Sequence, residues 1–192
     1  MKFFLKLKHW QLFGLTFGVL FVFQIIAMID VFTENVAFLH NPKTESFVVL
    51  LLSILSFGTF FGWLYALGIN LNKKLPDTVK MNLKKFKYSF NCVVFLSGIF
   101  IGYILAGGWS NSDLYITSYP WIISLPGFLA MICIFYCFYF IAKSFKAVEL
   151  QRPVTYSDYG NGIFLIWFFP IGVWIIQPRI NKIFEEKEEV QT

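Results

Sequence analysis

The residues able to carry chemistry are few in this chain and widely spread. Histidine occurs twice, at His9 and His40. Cys133 and Cys137 share a helical face at i and i+4, but no histidine or carboxylate shares their helix. With Cys92 the cysteines number three. The odd count and the absence of C-x-x-C spacing argue against a disulfide framework or a metal knuckle. Within apolar runs a free cysteine behaves as a small hydrophobe. The acids Asp30, Glu34, Glu45 and Asp113 have no metal-site spacing and read as solvated loop charges. Attack on a lipid head group would require Asp30, Glu34, His40 and Asp113 to converge. No G-x-S-x-G, H-E-x-x-H or P-loop is present. The expectation is a non-enzyme with no cofactor, no metal and no nucleic-acid partner.

The elements that would have to position these groups are apolar almost throughout. Of 192 residues, 57% are hydrophobic and 14% charged, with a mean hydropathy of +0.65. A soluble domain carries about 25% charged residues, because charge keeps its surface in water. A soluble enzyme, a secreted disulfide scaffold and a disordered chain are all excluded by that composition. The 25 phenylalanines and the excess of lysine over arginine are biases that an AT-rich genome produces, so they mark no aromatic site.

A hydrocarbon core roughly 30 Å thick needs about 20 apolar residues in a helix. Four stretches reach that length: residues 10–29, 47–69, 88–107 and 121–142. The first is too long and lacks the cleavage site of a signal peptide, so it reads as a retained helix. Backbone groups in lipid must be paired, so each stretch is expected to be helical. The fold class is therefore an all-α membrane bundle of four spans in one domain, plus a fifth, ambiguous segment. That segment, 163–176, holds Pro170 in its middle. Proline removes a backbone hydrogen bond and predicts a kink near Leu165–Ile166, giving a tilted, re-entrant or incompletely spanning element. A charged tail, 179–192, follows.

Lysine and arginine crowd alternate loops. With an inside N-terminus, twelve of them fall inside and one, Lys43, outside, which assigns a cytoplasmic N-terminus. Trp109, Tyr115, Tyr119 and Trp121 cluster in the opposite loop, where amphipathic rings settle at the head groups. The basic stretch 73–87 faces anionic head groups. Within it, Pro76-Asp77-Thr78 reads as a helix start.

Small residues recur at four-residue spacing: Gly14 and Gly18, Gly58 and Gly62, and Gly98 and Gly102 continuing to Ala106. Such pairs let helices approach closely, and packing among the chain's own helices is expected. Gln24 is the deepest strongly polar residue, and Ser53 and Ser56 fall at similar depth. A Gln24 hydrogen bond to Ser53 or Ser56 would satisfy the amide inside the bundle.

The last third, with Val148–Arg152, Ser157–Tyr159 and PIGVWIIQPRIN (Pro170–Asn181), resembles the ending of small multi-pass bacterial membrane proteins with no assigned activity. The resemblance implies a bacterial inner membrane and singles out Pro170, Gly172, Gln177, Pro178, Arg179 and Asn181 as the candidate functional segment. Two functions fit these observations. One is an accessory or scaffold subunit that packs with other membrane proteins or with itself. The other is a small permease or channel that uses the broken Pro170–Pro178 segment, since broken helices expose backbone at transporter sites. A permease requires a wet cavity lined by Gln24, Ser53, Ser56 or that segment. A scaffold requires a dry bundle.

Overall fold

The computed structural model describes residues 3–33, 42–103 and 121–185, and the regular structure among them is entirely helical. The elements are α1 (Phe3–Lys6), α2 (His9–Phe13), a π-helical turn (Gly14–Gly18), α3 (Val19–Thr33), α4 (Pro42–Asn72), α5 (Leu83–Tyr103), α6 (Trp121–Leu150), α7 (Tyr156–Trp167) and α8 (Phe169–Glu185). Three stretches are long and apolar enough to cross a membrane, namely His9–Ile29, Phe47–Asn72 and Ser124–Leu150. They mark a membrane protein. The four-plus-one arrangement is met only in part. Helix α5 opens on Lys84, Lys85 and Lys87 and is not one of the three. Residues 104–107, with Ala106, lie outside the described residues, as do Glu34, His40, Trp109, Asp113, Tyr115, Tyr119 and the tail beyond Glu185.

The boundaries show where side chains override simple hydropathy. The apolar stretch 121–142 ends just before Lys143, but helix α6 runs on to Leu150. The lysine amine lies 3.1 Å from the Tyr139 hydroxyl and 5.5 Å from its ring centre. It reaches sideways while Ser144, Phe145, Ala147 and Val148 stay buried. The helix ends where Gln151 takes a left-handed φ of 51°, a common helix stop, with Pro153 just beyond. The expected helix start at Pro76–Thr78 is instead a turn, closed by the Val79 N–H on the Pro76 carbonyl. Helix α5 begins later, where the Asn82 side chain accepts the Lys85 N–H at 3.1 Å and caps the first turn.

The chain divides into two compact units, Met1–Leu67 with Phe164–Thr192, and Gly68–Ile163. In the first, α4 lies antiparallel to the N-terminal helices: Gly62 sits beside Phe4, and Ser56 beside Thr16. Helix α8 is antiparallel to the same helices. Asn181 meets Leu7, Trp174 meets His9 and Phe13, and Phe169 meets Phe17. It therefore begins partway along the first membrane-length run and ends at the side where that run starts. Its buried face is Phe169, Gly172, Val173, Ile176, Gln177 and Ile180, the stripe expected of a helix packed on one side.

In the second unit α5 and α6 are antiparallel, with Phe86 stacked on Phe140 at 4.7 Å. The same phenylalanine ring fills the space where a Cβ on Gly68 would stand. Ser144 donates to the Met81 sulfur at 3.2 Å, tying the loop before α5 to α6.

Candidate functional site

The C-terminal segment is two helices, which corrects the expectation of one helix kinked by Pro170. Helix α7 ends at Trp167, the chain turns at Phe168, and Pro170 lies in the first turn of α8. There its missing N–H has no intrahelical partner to lose. The Phe168 carbonyl accepts the N–H groups of Ile171 and Gly172 at 3.1 and 2.8 Å. Gly172 makes the corner possible. A Cβ at that position would run into the backbone carbonyl of Leu165, which cannot move aside as a flexible side chain could.

Two turns along α8, Gln177 is fully buried at 0% exposure. Its Oε1 accepts the Trp63 indole N–H at 2.8 Å. Its Nε2 donates to the carbonyls of Phe4 and Leu7 at 3.1 and 2.9 Å, and to Asn181 Oδ1 at 3.0 Å. Asn181 in turn donates to the Leu7 carbonyl at 3.2 Å. An indole N–H only donates, so the carboxamide orientation is fixed, with the two Nε2 hydrogens shared among three acceptors. The carbonyls of Phe4 and Leu7 belong to the end of α1 and the link after it, where intrahelical donors run out. One glutamine thus joins α1, α4 and α8. Trp63 is itself fully buried, its ring 5.1 Å from that of Phe169.

A second polar contact lies farther along the N-terminal helices. The Ser56 hydroxyl donates to the Thr16 carbonyl, inside the π-helical turn where Val19 reaches back to Gly14. A widened turn presents backbone acceptors that a neighbouring hydroxyl can take. The Thr16 hydroxyl itself is buried without a partner among the described residues, and nothing in the structure explains it.

The other expected residues fall as follows. Gln24 is exposed and Ser53 half-buried. Ser56 has taken the Thr16 carbonyl, so the expected Gln24 bond is replaced by a backbone one. Gly62 meets the Phe4 ring at 2.8 Å from where its Cβ would lie, whereas Gly14, Gly58, Gly98 and Gly102 have nothing within 4 Å and Gly18 only the Phe13 carbonyl at 4.0 Å. Packing among the chain's own helices therefore uses Gly62, together with Gly68, Gly162 and Gly172, rather than the full repeating pattern. Gly162 would place its Cβ 3.3 Å from that of Ala142. Within the candidate segment, Pro178 is exposed and Arg179 half-buried. The partners Trp63, Phe4 and Leu7 were absent from the expectations. The signal available was Gln177 itself, the polar residue on an otherwise apolar stripe at helical spacing.

Comparison with protein-family models, with curated proteins and with solved structures found no match. Function therefore rests on the geometry of this chain.

Proposed function

We propose that this chain is a non-enzymatic accessory or scaffold subunit that packs, through exposed helix faces, against another membrane protein or a second copy of itself. One observation carries the reading: Gly58, Gly98 and Gly102 have open space where a Cβ would stand. Each lies among exposed large apolar side chains, Leu55 and Phe57 around the first, Ile99 and Phe100 between the other two. A face of small residues admits the backbone of another helix, and close packing is what associates helices in lipid.

Topology fits this reading. Helix α5 accompanies α6 in antiparallel register, which supports four crossings. Helix α8 runs back to the side on which α1 lies, the side that the lysine distribution favours as the cytoplasmic one of a bacterial inner membrane. The permease alternative would use Pro170–Pro178 as its site. Against it stands Gln177, whose amide is engaged at both ends by this chain's own groups, leaving no polar group there for a solute.

Native mass spectrometry of the protein extracted gently from its own membrane tests the proposal. A stoichiometric partner or a homo-oligomer is expected, and Gly98→Leu with Gly102→Leu should release it. A lone chain under the gentlest extraction overturns the reading and moves effort to solute flux in liposomes.

A further inference from the structure

The three cysteines are all free thiols in the second unit, and their settings differ. Cys137 is fully buried. Cys92 on α5 and Cys133 on α6 are half-buried, and Cys133 borders the open furrow between the two helices, beside Ser89 and Ile132.

The antiparallel register brings Cys92 and Cys133 to one level. Phe86 stacks on Phe140. Cys92 lies six residues onward along α5 from that pair, and Cys133 seven residues back along α6. At ~1.5 Å per residue the two stand about 9 and 10.5 Å from the stack. The side chains complete the juxtaposition, because the Cys92 thiol comes within hydrogen-bonding reach of the Cys133 thiol. Thiols brought together from two distant helices leave no C-x-x-C signature in the sequence.

Two thiols in contact have a chemistry that one thiol lacks. Oxidation of a cysteine gives a sulfenic acid, which a neighbouring thiol converts to a disulfide that reductants can reopen. Access selects the thiol that is oxidised first, and it favours Cys133 at the furrow over the shielded Cys137. Cys133 lies within the membrane-length stretch Ser124–Leu150, so an oxidant reaching it must dissolve in lipid. Lipid hydroperoxides meet that condition.

We propose that Cys92 and Cys133 form a reversible oxidation site, closed to a disulfide by lipid hydroperoxides. The Cys133 sulfur attacks the terminal peroxide oxygen, the O–O bond breaks, and the thiol proton leaves with the alkoxide as an alcohol. The Cys92 sulfur then attacks the sulfenic sulfur, the S–S bond forms, and hydroxide leaves with the Cys92 proton as water. Two thiols lose two electrons, and one hydroperoxide becomes alcohol and water. The bond joins α5 to α6 covalently, and reduction releases them.

The full chain in phosphatidylcholine vesicles is treated with cumene hydroperoxide, denatured and alkylated with a maleimide, and its adducts are counted by mass spectrometry. Alkylatable thiols should fall from three to one, with the bond mapped to Cys92 and Cys133 in peptides, and a reductant should restore all three. Cys137→Ala should go from two to none. Cys92→Ala should form no disulfide and should instead leave a sulfenic acid at Cys133, trapped by a cyclic diketone. Sulfoxide at Met28 and Met131, both exposed, shows that the oxidant has reached the chain. Three thiols still free once those methionines are oxidised overturn the proposal, as does a bond between Cys133 and Cys137 or between two chains. The mapping on the natural chain decides even where a variant fails to fold.

Discussion

Within the first unit, the half that begins at Phe3 and the half beyond Thr16 are made of the same kinds of residue and end up in opposite surroundings. In the near half Leu5, Leu7 and Leu12 are buried, with Trp63, Leu64 and Leu67 from α4 and Val173, Ile176 and Ile180 from α8. In the far half Phe21, Val22, Ile25 and Met28 stand exposed, and so do Phe47, Leu51 and Ile54 on the other helix. The cause is the length of α8, whose first turn meets Phe17 and whose end meets Leu7. Three elements can surround a core, and two cannot. Exposing leucine to lipid is nearly free, so apolar character alone does not close a membrane protein. Closure in the near half comes from shape and from hydrogen bonds, above all those of Gln177. In the second unit one face of α5, with Phe86, Phe90 and Val93, is buried, while Tyr88, Val94, Phe95 and Ile99 are exposed.

Glycine substitution should separate the two halves most sharply. Gly172→Ala forces a methyl group against the Leu165 carbonyl, so α8 must shift or the corner must open. A loss of about 3 kcal/mol is expected, the upper range of overpacking, read as a lower midpoint when helical signal is followed during denaturant titration in micelles. Gly58→Ala has nothing to meet and should leave the isolated chain unchanged or up to about 1 kcal/mol more stable, since alanine is the better helix former. Equal effects from the two substitutions would remove the distinction between the halves.

Gln177 and Gln24 give a smaller contrast. Gln177→Leu strands the Trp63 indole N–H and leaves the Phe4 carbonyl without its side-chain donor, and a loss of about 1–3 kcal/mol is expected. Asn181→Ala should cost less, because Gln177 still serves the Leu7 carbonyl. Gln24→Leu should have no measurable effect, its amide being exposed. Thermal melts of the three variants, followed by tryptophan emission, rank them. A larger loss from Gln24→Leu than from Gln177→Leu would show the amide cluster to be unimportant to the packed half.

Much of the helical layout was legible from hydropathy, because backbone pairing in lipid leaves little choice but a helix. The start of α6 and the membrane-length runs from His9 and from Phe47 follow from it directly, whereas α4 itself begins earlier, at Pro42. The end of α6 was not legible, since whether a lysine stops a helix depends on a neighbour such as Tyr139 to receive its amine. The start of α5 was displaced because Pro76-Asp77-Thr78 and Asn82 both carry helix-start chemistry, and Met81 packing on Ser144 favours the later one. Glycine spacing marked small faces but not their direction: Gly62 points at Phe4, while Gly58, one turn earlier, points at nothing. The amide cluster was half legible. Gln177 and Asn181 stood out as polar residues in an apolar helix, but their partners lie 114 to 174 residues away in the chain, and only the folded chain brings them together.

The smallest effect is expected outside both halves, at the start of α7. The Asp158 carboxylate accepts the Thr155 N–H at 2.8 Å and its hydroxyl at 3.0 Å, with Arg152 at 3.3 Å. These donors hold its pKa below the ordinary carboxylate value, the Thr155 backbone N–H foremost, then its hydroxyl, with Arg152 adding a lesser share. A group whose folded value is lowered stabilises the fold above its unfolded value, about 3.9 for aspartate. That stabilisation is lost as pH falls through the folded value. Asp158→Asn keeps one acceptor and abolishes the titration. The difference in melting midpoint between natural chain and variant should therefore be constant from neutral pH down to about 5, and should shrink below about 4. A difference that persists unchanged at low pH would mean that the side chain's shape, and not its charge, holds the first turn of α7. The acid sensitivity of the whole protein would then have to arise from carboxylates elsewhere.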